Sequence, residues 1–238
     1  MAVYAISDLH LSFLVNKPMT RFGQVWKDYE EKISNNWKQT VKNDDIVIIP
    51  GDISWGMSLN ETKADFDFID KLPGKKVLLR GNHDYYFSTK SKIEKFFKDN
   101  NFNTLSWIHN NIKEYDECIV CGTRGWGSTE NNDSALDEKI ILREKIRLEY
   151  ALNLAVKRNE ELKEAGIPPK KIILAIHFPP FIEEFQEVIQ KYKDDIFVCI
   201  YGHLHGYGHL LVKEGIIDGV EYKMVGCDYT GFKIIKLI

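Results

Sequence analysis

Polar residues of the types that bind metal ions recur along this sequence directly after short apolar runs. They form five segments: Asp8-Leu9-His10, Gly51-Asp52, Gly81-Asn82-His83-Asp84, His177, and Gly202-His203-Leu204-His205. Carboxylate, imidazole and carboxamide groups together favour first-row divalent ions such as manganese, iron or zinc over calcium or an all-thiolate zinc site. A lone Asp or His is commonly a turn former or a satisfied polar residue, but that explanation does not easily cover five segments at once. The sequence therefore predicts one metal site built from all five.

The apolar runs that precede these segments are predicted to be buried strands. They lie at 3–7, 46–50, 76–79, 172–176 and 196–201. Helical patterns at about 20–42, 60–71, 88–99, 134–165 and 181–192 separate them, and further strands are predicted near 105–109 and 117–122, with a final β pair near 209–213 and 220–237. Ligand sites in open α/β sheets form outside the carboxyl ends of the strands, so the five segments are expected to converge.

Length and charge narrow the class of protein. The 238 residues are enough to bury a sizeable core and predict a single domain over residues 1–238. A net charge of −3 provides no global basic field, so neither nucleic acid nor a membrane is an expected partner. The chain has no apolar stretch of roughly 20 residues and no basic segment at its start, which predicts a cytoplasmic protein. Its oligomeric state leaves no readable pattern.

The four cysteines are predicted to be buried, reduced thiols. Cys118 and Cys121 form a CxxC inside a strand-like run, and no second CxxC completes a zinc site. Cys199 and Cys227 also lie in apolar runs. Free cysteine is commonly buried, and cytosolic thiols are kept reduced.

Taken in order, the five segments resemble the signature of the calcineurin-like metallophosphoesterase superfamily, which is D-x-H, GD, GNH[D/E], H and G-x-H. The resemblance spans residues 8 to 205. It implies an α+β fold of four α/β/β/α layers, in which two mixed β-sheets form a sandwich flanked by helices. The alternation of strands and helices alone suggests a doubly wound single sheet instead. It also implies hydrolysis of a small phosphomonoester or phosphodiester.

The resemblance further implies a site of two divalent ions, with Mn²⁺ expected first and iron or zinc as alternatives. It assigns Asp8, His10, Asp52 and His205 to one ion, and Asp52, Asn82, His177 and His203 to the other. A hydroxide that bridges the ions would be the nucleophile. His83 is the expected general acid at the leaving group, and Asp84 is expected to orient and polarise it. Gly51 is expected to allow a tight turn before the bridging Asp52.

One position departs from the protein phosphatase branch of the superfamily. That branch extends GD to GDxxDRG, in which the arginine binds substrate phosphate, whereas Gly56 occupies the arginine position here. Specificity for phosphoproteins is therefore not expected. Arg124 and Arg80 are candidates for a substitute cation, and the alternative for Arg124 is an ion pair with a surface carboxylate.

Several aromatic residues and the two remaining histidines have open roles. Two roles are open for the aromatic residues Trp55, Trp126 and Phe178. They either line the pocket and contact an apolar or base-like leaving group, or pack in the core. A structural role is predicted for His109, and His209 is predicted to line the rim of the site.

Two other classes of function stay open from the sequence. A catalytically weak scaffold with the same fold is expected to have lost ligands or the acid, and all of them are present here. A nuclease is expected to carry a basic groove or an extension, which the balanced charge argues against, although folding can create a local basic patch. The substrate depends on loops at about 11–24, 53–60 and 123–136.

Overall fold

The structure is a computed structural model that describes residues 1–127 and 134–238. In chain order, its strands are β1 (Val3–Ala5), β2 (Ile46–Ile49), β3 (Lys75–Leu78), β4 (Leu105–Trp107), β5 (Lys113–Glu114), β6 (Cys118–Thr123), β7 (Lys171–Ile176), β8 (Ile196–Tyr201), β9 (Gly215–Ile217), β10 (Val220–Met224) and β11 (Ile235–Lys236). The α-helices are α1 (Tyr29–Thr40), α2 (Lys63–Lys71), α3 (Lys90–Asp99), α4 (Ser134–Glu164) and α5 (Glu183–Lys191).

The strands form two mixed sheets. The first has the order β11-β1-β2-β3-β4, in which β1 to β4 are parallel and β11 is antiparallel. The second has the order β5-β6-β7-β8-β10-β9, in which the four central strands are parallel and both edge strands are antiparallel. Because the central strands of each sheet are parallel, their carboxyl ends lie along one edge of that sheet.

The two sheets pack face to face, because alternate apolar side chains of their strands point toward the other sheet. Ile46 and Ile48 of β2 pack into a core shared with Val120 of β6, while Val47 and Ile49 pack on the other side of the first sheet against helices α1 to α3. Helices α4 and α5 cover the outer face of the second sheet. A period of two is what a strand buried on both faces requires. The predicted four-layer sandwich is confirmed, and the single doubly wound sheet is not formed.

The loop after β1 joins the two sheets. Ser7 donates a backbone hydrogen bond to Val225, and the backbone N–H of Cys227 donates to Ser7, at 2.7 and 2.9 Å. On its other side this loop pairs with the loop after β2, where Leu11 and Ser54 form an isolated bridge. The first candidate segment is therefore held by both sheets.

Two segments differ from the elements that the sequence predicts. The helix predicted from residue 20 begins at Tyr29, and the residues before it form two 3-10 turns separated by Gly23, whose φ of 135° is not helical. The strand predicted at 209–213 is a 3-10 helix (Gly206–Leu211). The final hairpin is instead β9 and β10, because Asp218 and Gly219 both have positive φ and form the tight turn that joins two strands of such a hairpin.

All four cysteines are free and buried, as predicted. Burial raises the pKa of the Cys118 and Cys121 thiols to about 12, which keeps them protonated and unreactive at neutral pH. None of the described helices has the length and apolar character needed to cross a membrane.

Candidate metal centre

The backbone bends sharply at four of the candidate ligands. Asp8, His10, Asp52 and His203 have φ values of 60°, 46°, 51° and 74°, in the left-handed region that residues other than glycine seldom adopt. Such strained positions persist only where surrounding contacts fix them, and they cluster at functional sites. Each bend follows a strand, and it turns the side chain into the space where the two sheets meet.

Two glycines allow the loops after β2 and β3 to pack directly on each other. Gly51 has a φ of 103°, so the predicted tight turn before Asp52 is confirmed. Position 81 requires glycine because the two loops approach closely there: a Cβ atom on residue 81 would lie 2.1 Å from Oδ1 of Asp52. A side chain at either position would separate Asp52 from Asn82.

One group of donor atoms surrounds the first expected ion position. Nε2 of His10 lies 3.2 Å from Nε2 of His205 and 3.7 Å from Oδ2 of Asp52, and Nε2 of His205 lies 3.5 Å from Oδ1 of Asp8. Ligands bound at about 2.1 Å to one ion lie about 3.0 to 3.4 Å apart in octahedral or tetrahedral geometry. These four side chains therefore have the chemistry and the approximate spacing of a ligand set.

A second group lies on the other side of Asp52. Oδ1 of Asn82 is 2.7 Å from Nε2 of His177 and 3.1 Å from Nδ1 of His203, and Oδ2 of Asp52 is 3.5 Å from Nε2 of His177. Oδ2 of Asp52 thus faces both groups. Asp8 also approaches His177, with 3.9 Å between Oδ1 and Nδ1. The structure brings all seven predicted ligands together, and their binding of ions stays a prediction.

Two of the histidines are oriented by acceptors behind them. Nδ1 of His177 lies 3.0 Å from the carbonyl oxygen of Pro50, and Nδ1 of His205 lies 2.9 Å from Oδ1 of Asp228. A proton held on Nδ1 by such an acceptor leaves the Nε2 lone pair free to bind a metal, and this arrangement is common behind metal-bound histidines. Sequence reasoning missed Asp228. Asp228 follows the end of β10 at Met224, as the other segments follow their strands. The sequence predicts a strand over 220–237, so Asp228 is not expected from it to lie after a strand end.

Carboxylates and imidazoles in the cluster shift one another's pKa. Burial alone would raise the pKa of Asp8 and Asp52, but the neighbouring histidines outweigh it and hold both carboxyls below their usual range. Burial would lower the pKa of His177 and His205, yet the nearby carboxylates raise the two values to about 9 and about 10. Burial lowers the pKa of His10 to about 4. The cluster is therefore two carboxylates balanced by protons that a divalent cation would displace.

Asp84 has contacts that differ from the prediction. Its carboxylate accepts hydrogen bonds from the hydroxyl group of Tyr86 and from the backbone N–H groups of Asp52, Ile53, Ser54 and Gly81. The ring of His83 is not among these donors, so Asp84 does not hold that ring by a direct hydrogen bond, and its predicted role in orienting His83 stays a prediction. The physical reason is burial: the fully buried carboxylate turns inward to backbone donors that otherwise lack partners. Asp84 positions the loop that carries Asp52.

His83 lies beside the cluster with its side chain one-third exposed. Its Nε2 is 4.0 Å from Oδ2 of Asp52, and its backbone N–H donates to Oδ1 of Asp52 at 2.8 Å. Nδ1 lies 3.4 Å from the hydroxyl oxygen of Tyr85. Burial lowers the pKa of His83, with a smaller opposing effect from Asp52. The ring is placed to exchange a proton with a bound group, and that role stays a prediction.

Comparison of the sequence with known families identifies the chain. The profile of the calcineurin-like phosphoesterase family matches residues 1–207. The chain belongs to this family. An uncharacterized protein of Methanocaldococcus jannaschii is 29% identical to this chain over 89 residues, which cover 35% of the chain and 47% of that protein. The chain thus matches about half the length of that relative.

Two solved structures share the fold of this chain. One is a protein of unknown function from Aquifex aeolicus, with a TM-score of 0.51 and 17% identity over 99% of this chain and 95% of that chain. The other is a protein of Thermus thermophilus, TT1561, with a TM-score of 0.54 and 11% identity over 98% of this chain and 96% of that chain. At these identities the likeness shows the fold alone.

A large cleft opens beside the candidate ligands. It has a volume of about 740 Å³, and His10, His83 and His205 form its inner end. Its remaining wall is mostly apolar, and the apolar side chains in it are Met19, Phe22, Val25, Trp26 and Trp55. We call this cleft the aromatic cleft. Lys17 is the one Lys or Arg among the described residues that line it. Nζ of Lys17 lies 3.1 Å from the centroid of the Trp55 ring, a cation–π contact.

The two arginines proposed as substitute cations lie elsewhere. Arg80 and Arg124 line a small separate cavity. Nη2 of Arg124 is 4.0 Å from Oε1 of Glu144, so the ion-pair alternative describes Arg124 better, although Glu144 is buried and not on the surface. In the loop predicted to control specificity at 123–136, residues 128–133 lie outside the described residues. Lys17 is the cation that the structure places in the aromatic cleft.

The remaining aromatic and histidine predictions divide between cleft and core. Trp55 lines the aromatic cleft, whereas Trp126 and Phe178 pack with each other in a small buried cluster. His109 packs on the ring of Phe87, in agreement with a structural role. His209 lines the aromatic cleft as predicted, with its Nε2 3.2 Å from Oδ2 of Asp228.

Proposed function

We propose that this chain hydrolyses a small phosphomonoester or phosphodiester at a centre of two divalent metal ions. The observation that carries the proposal is the convergence of seven donor side chains from five loops around Oδ2 of Asp52, with neighbouring donor atoms 2.7 to 3.7 Å apart. The mixture of carboxylate, imidazole and carboxamide groups suits Mn²⁺, with iron or zinc as alternatives. When bound, two such ions supply Lewis-acid activation of water and of the phosphate oxygens.

The structure supports two ligand sets that share Asp52. Asp8, His10, Asp52 and His205 would hold one ion, and Asp52, Asn82, His177 and His203 would hold the other. Pro50 and Asp228 fix the ring orientation of one histidine in each set, which prepares their nitrogen lone pairs before an ion binds.

His83 is proposed to donate a proton to the oxygen of the leaving group. Its ring lines the aromatic cleft, and its backbone N–H is bonded to Asp52, so its position is tied to the carboxylate that both ions would share. A general acid must lie within reach of the departing oxygen, and only a partly exposed ring can regain its proton from solvent.

Lys17 is proposed to meet the negative charge of the phosphate in place of the arginine that Gly56 replaces. Its ammonium group forms no ion pair within the part of the chain that the structure describes, and it rests on the face of Trp55 instead. Burial lowers the pKa of Lys17, which reports the cost of holding a charge there without an anion. A bound phosphate would supply that anion.

The proposal is tested by hydrolysis of an aryl phosphomonoester and the matching aryl phosphodiester in the presence of Mn²⁺. Wild type is expected to turn over at least one ester, and Asp52→Asn neither. Asp67→Asn, which changes an exposed carboxylate paired with Lys71, is the matched control and should keep full activity. If metal-loaded wild type hydrolyses neither ester, a scaffold role replaces the proposal.

A second variant separates the acid from the ligands. His83→Ala is expected to lower turnover of the preferred ester by about 10²–10⁴-fold, the contribution typical of a general acid, while bound metal measured by elemental analysis stays unchanged. Loss of metal together with activity would show that His83 is a ligand.

A further inference from the structure

The size and lining of the aromatic cleft identify a class of leaving group. We propose that the substrate is a phosphoester whose leaving group carries a planar aromatic ring system, and that this ring binds in the aromatic cleft. The inference rests on the proposed phosphoesterase function and names its substrate class. A cleft of about 740 Å³ lies in the range that holds an entire small organic ligand, and it extends well beyond a phosphate group at the ligand cluster.

Trp55 lies at the point where the leaving group would enter this cleft. Its ring centroid lies 4.8 Å from the ring of His10, at an interplanar angle of 21°, and 4.5 Å from the ring of His83. A phosphate at the ligand cluster, with its leaving oxygen near His83, therefore has its ester substituent directly beside Trp55. Because the faces of the Trp55 ring contact His10 and Nζ of Lys17, the substituent would pass the edge of this ring and reach the ring of Phe22.

The mouth of the cleft offers a stacking surface. The ring of Phe22 is nearly parallel to that of Trp55, at 11°, with 6.4 Å between the centroids. Phe22 and Val25 are 61% and 52% exposed, so large apolar side chains at the mouth face water until something covers them. Aromatic rings prefer such stacked partners over aliphatic groups of the same size.

The polar side chains of the cleft argue against a sugar-like leaving group. His10 and His205 belong to the candidate ligands, and Asp228 is occupied by His205 and His209. Lys17 faces the phosphate in the proposed function. His83 is the proposed acid, and His209 pairs with Asp228. The side chains that line the cleft beyond these polar groups are apolar, so hydroxyl groups buried against them would lose water without gaining partners.

Three phosphomonoesters with the same primary ester linkage test the inference: benzyl phosphate, cyclohexylmethyl phosphate and ribose 5-phosphate. All three release a primary alcohol, so differences in kcat/KM report mainly how the rest of the leaving group binds. Benzyl phosphate is expected to exceed cyclohexylmethyl phosphate by about 3- to 10-fold, from aromatic stacking. Ribose 5-phosphate is expected to fall at least about 10-fold below both, because its hydroxyl groups lack partners.

Variants locate the preference in the cleft. Phe22→Leu and Trp55→Leu keep the wall apolar but remove a ring, and each is expected to bring the benzyl to cyclohexylmethyl ratio close to 1. Phe13→Leu is the matched control, because Phe13 is 46% exposed and packs on Phe68 outside the cleft. Its ratio should equal that of wild type. Metal content is measured for Trp55→Leu, since Trp55 touches the candidate ligand His10.

Calorimetric titration with benzylphosphonate and cyclohexylmethylphosphonate separates the inference from the proposed function, because neither compound can be hydrolysed at its C–P bond. Preferential binding of benzylphosphonate without hydrolysis of any ester would support the aromatic cleft and refute the phosphoesterase proposal. Hydrolysis with equal kcat/KM for benzyl and cyclohexylmethyl phosphate, or a preference for ribose 5-phosphate, would refute the inference alone. Absence of both binding and hydrolysis would refute both.

Discussion

Binding of two ions to the metal-free protein at pH 7 is expected to release about two protons from the histidine ligands, apart from the proton that a water bridging the ions would lose. Burial disfavours the charged form of His177 and His205, but Asp52 raises the pKa of the first to about 9, and Asp228 and Asp8 raise that of the second to about 10. Both rings are therefore positively charged, with a proton on each nitrogen, at neutral pH when no ion is bound. A histidine must lose that proton from its ligating nitrogen to bind a metal.

The magnitude follows from these values. At pH 7 a group with a pKa of 9 is about 1% deprotonated, and one with a pKa of 10 about 0.1%, so the two rings together release about two protons. His10, with its pKa near 4, is already neutral, and the Asp8 and Asp52 carboxyls are already ionised, so these three add none. Each ion would be held by one of these two rings, so its apparent association constant should rise about 10-fold per pH unit between pH 6 and 8, and the product of the two constants about 100-fold.

Isothermal titration of the chelator-treated protein with Mn²⁺, in buffers of different ionisation enthalpy, measures the number of protons released. Asp228→Asn removes a carboxylate that raises the pKa of His205, so this variant is expected to release about one proton fewer than wild type and to bind the ion more weakly. Asp218→Asn, at an exposed turn, is the matched control and should behave as wild type. Stoichiometric metal binding with no proton release by wild type would refute the assignment of charge in the cluster.

Three further predictions concern single residues. Lys17→Met should raise the KM for the preferred ester by about 10-fold without loss of metal, whereas Lys17→Arg should keep the KM close to that of wild type. An unchanged KM in Lys17→Met would exclude Lys17 from phosphate binding. Asp84→Asn turns an amide N–H₂ toward buried backbone N–H donors, so urea denaturation should show about 2–4 kcal/mol lower stability, and a change below about 1 kcal/mol would contradict the hydrogen-bond account. Burial lowers the pKa of Lys76 to about 8. The unfolded lysine keeps its proton between pH 8 and 10 while the folded one loses it, so the stability of wild type relative to Lys76→Met should rise by about 1 kcal/mol per pH unit there, and a flat difference would refute a depressed pKa.

The candidate ligands could be predicted because each follows its strand within a few residues. Asp8, Asp52 and His177 come directly after apolar runs that fold as β1, β2 and β7, and the parallel arrangement of those strands brings their ends together. That reasoning needs only local patterns and one general rule for parallel sheets. It failed for Asp228, where an apolar stretch beyond β10 extended the predicted strand past its true end.

Contacts between loops could not be predicted in the same way. The inward turn of Asp84 depends on how closely the loops after β2 and β3 pack, which Gly81 permits but no spacing in the sequence reveals. Lys17 lies in a segment without periodicity, directly before Pro18 and a stretch that forms 3-10 turns instead of the predicted helix. Its place on the ring of Trp55 is a product of tertiary packing.

The candidate centre depends on both sheets, and this explains how strained backbone conformations persist there. Asp8, Asp52 and Asn82 come from the first sheet, while His177, His203 and His205 come from the second. The hydrogen bonds between Ser7 and the segment after β10, and those from the loop backbones to Asp84, fix the bends from outside the cluster. Because packing of both sheets holds two carboxylates and four imidazoles together, folding would already overcome much of the repulsion and desolvation that oppose assembly of a site for two cations. Ion binding then needs only the exchange of protons for metal.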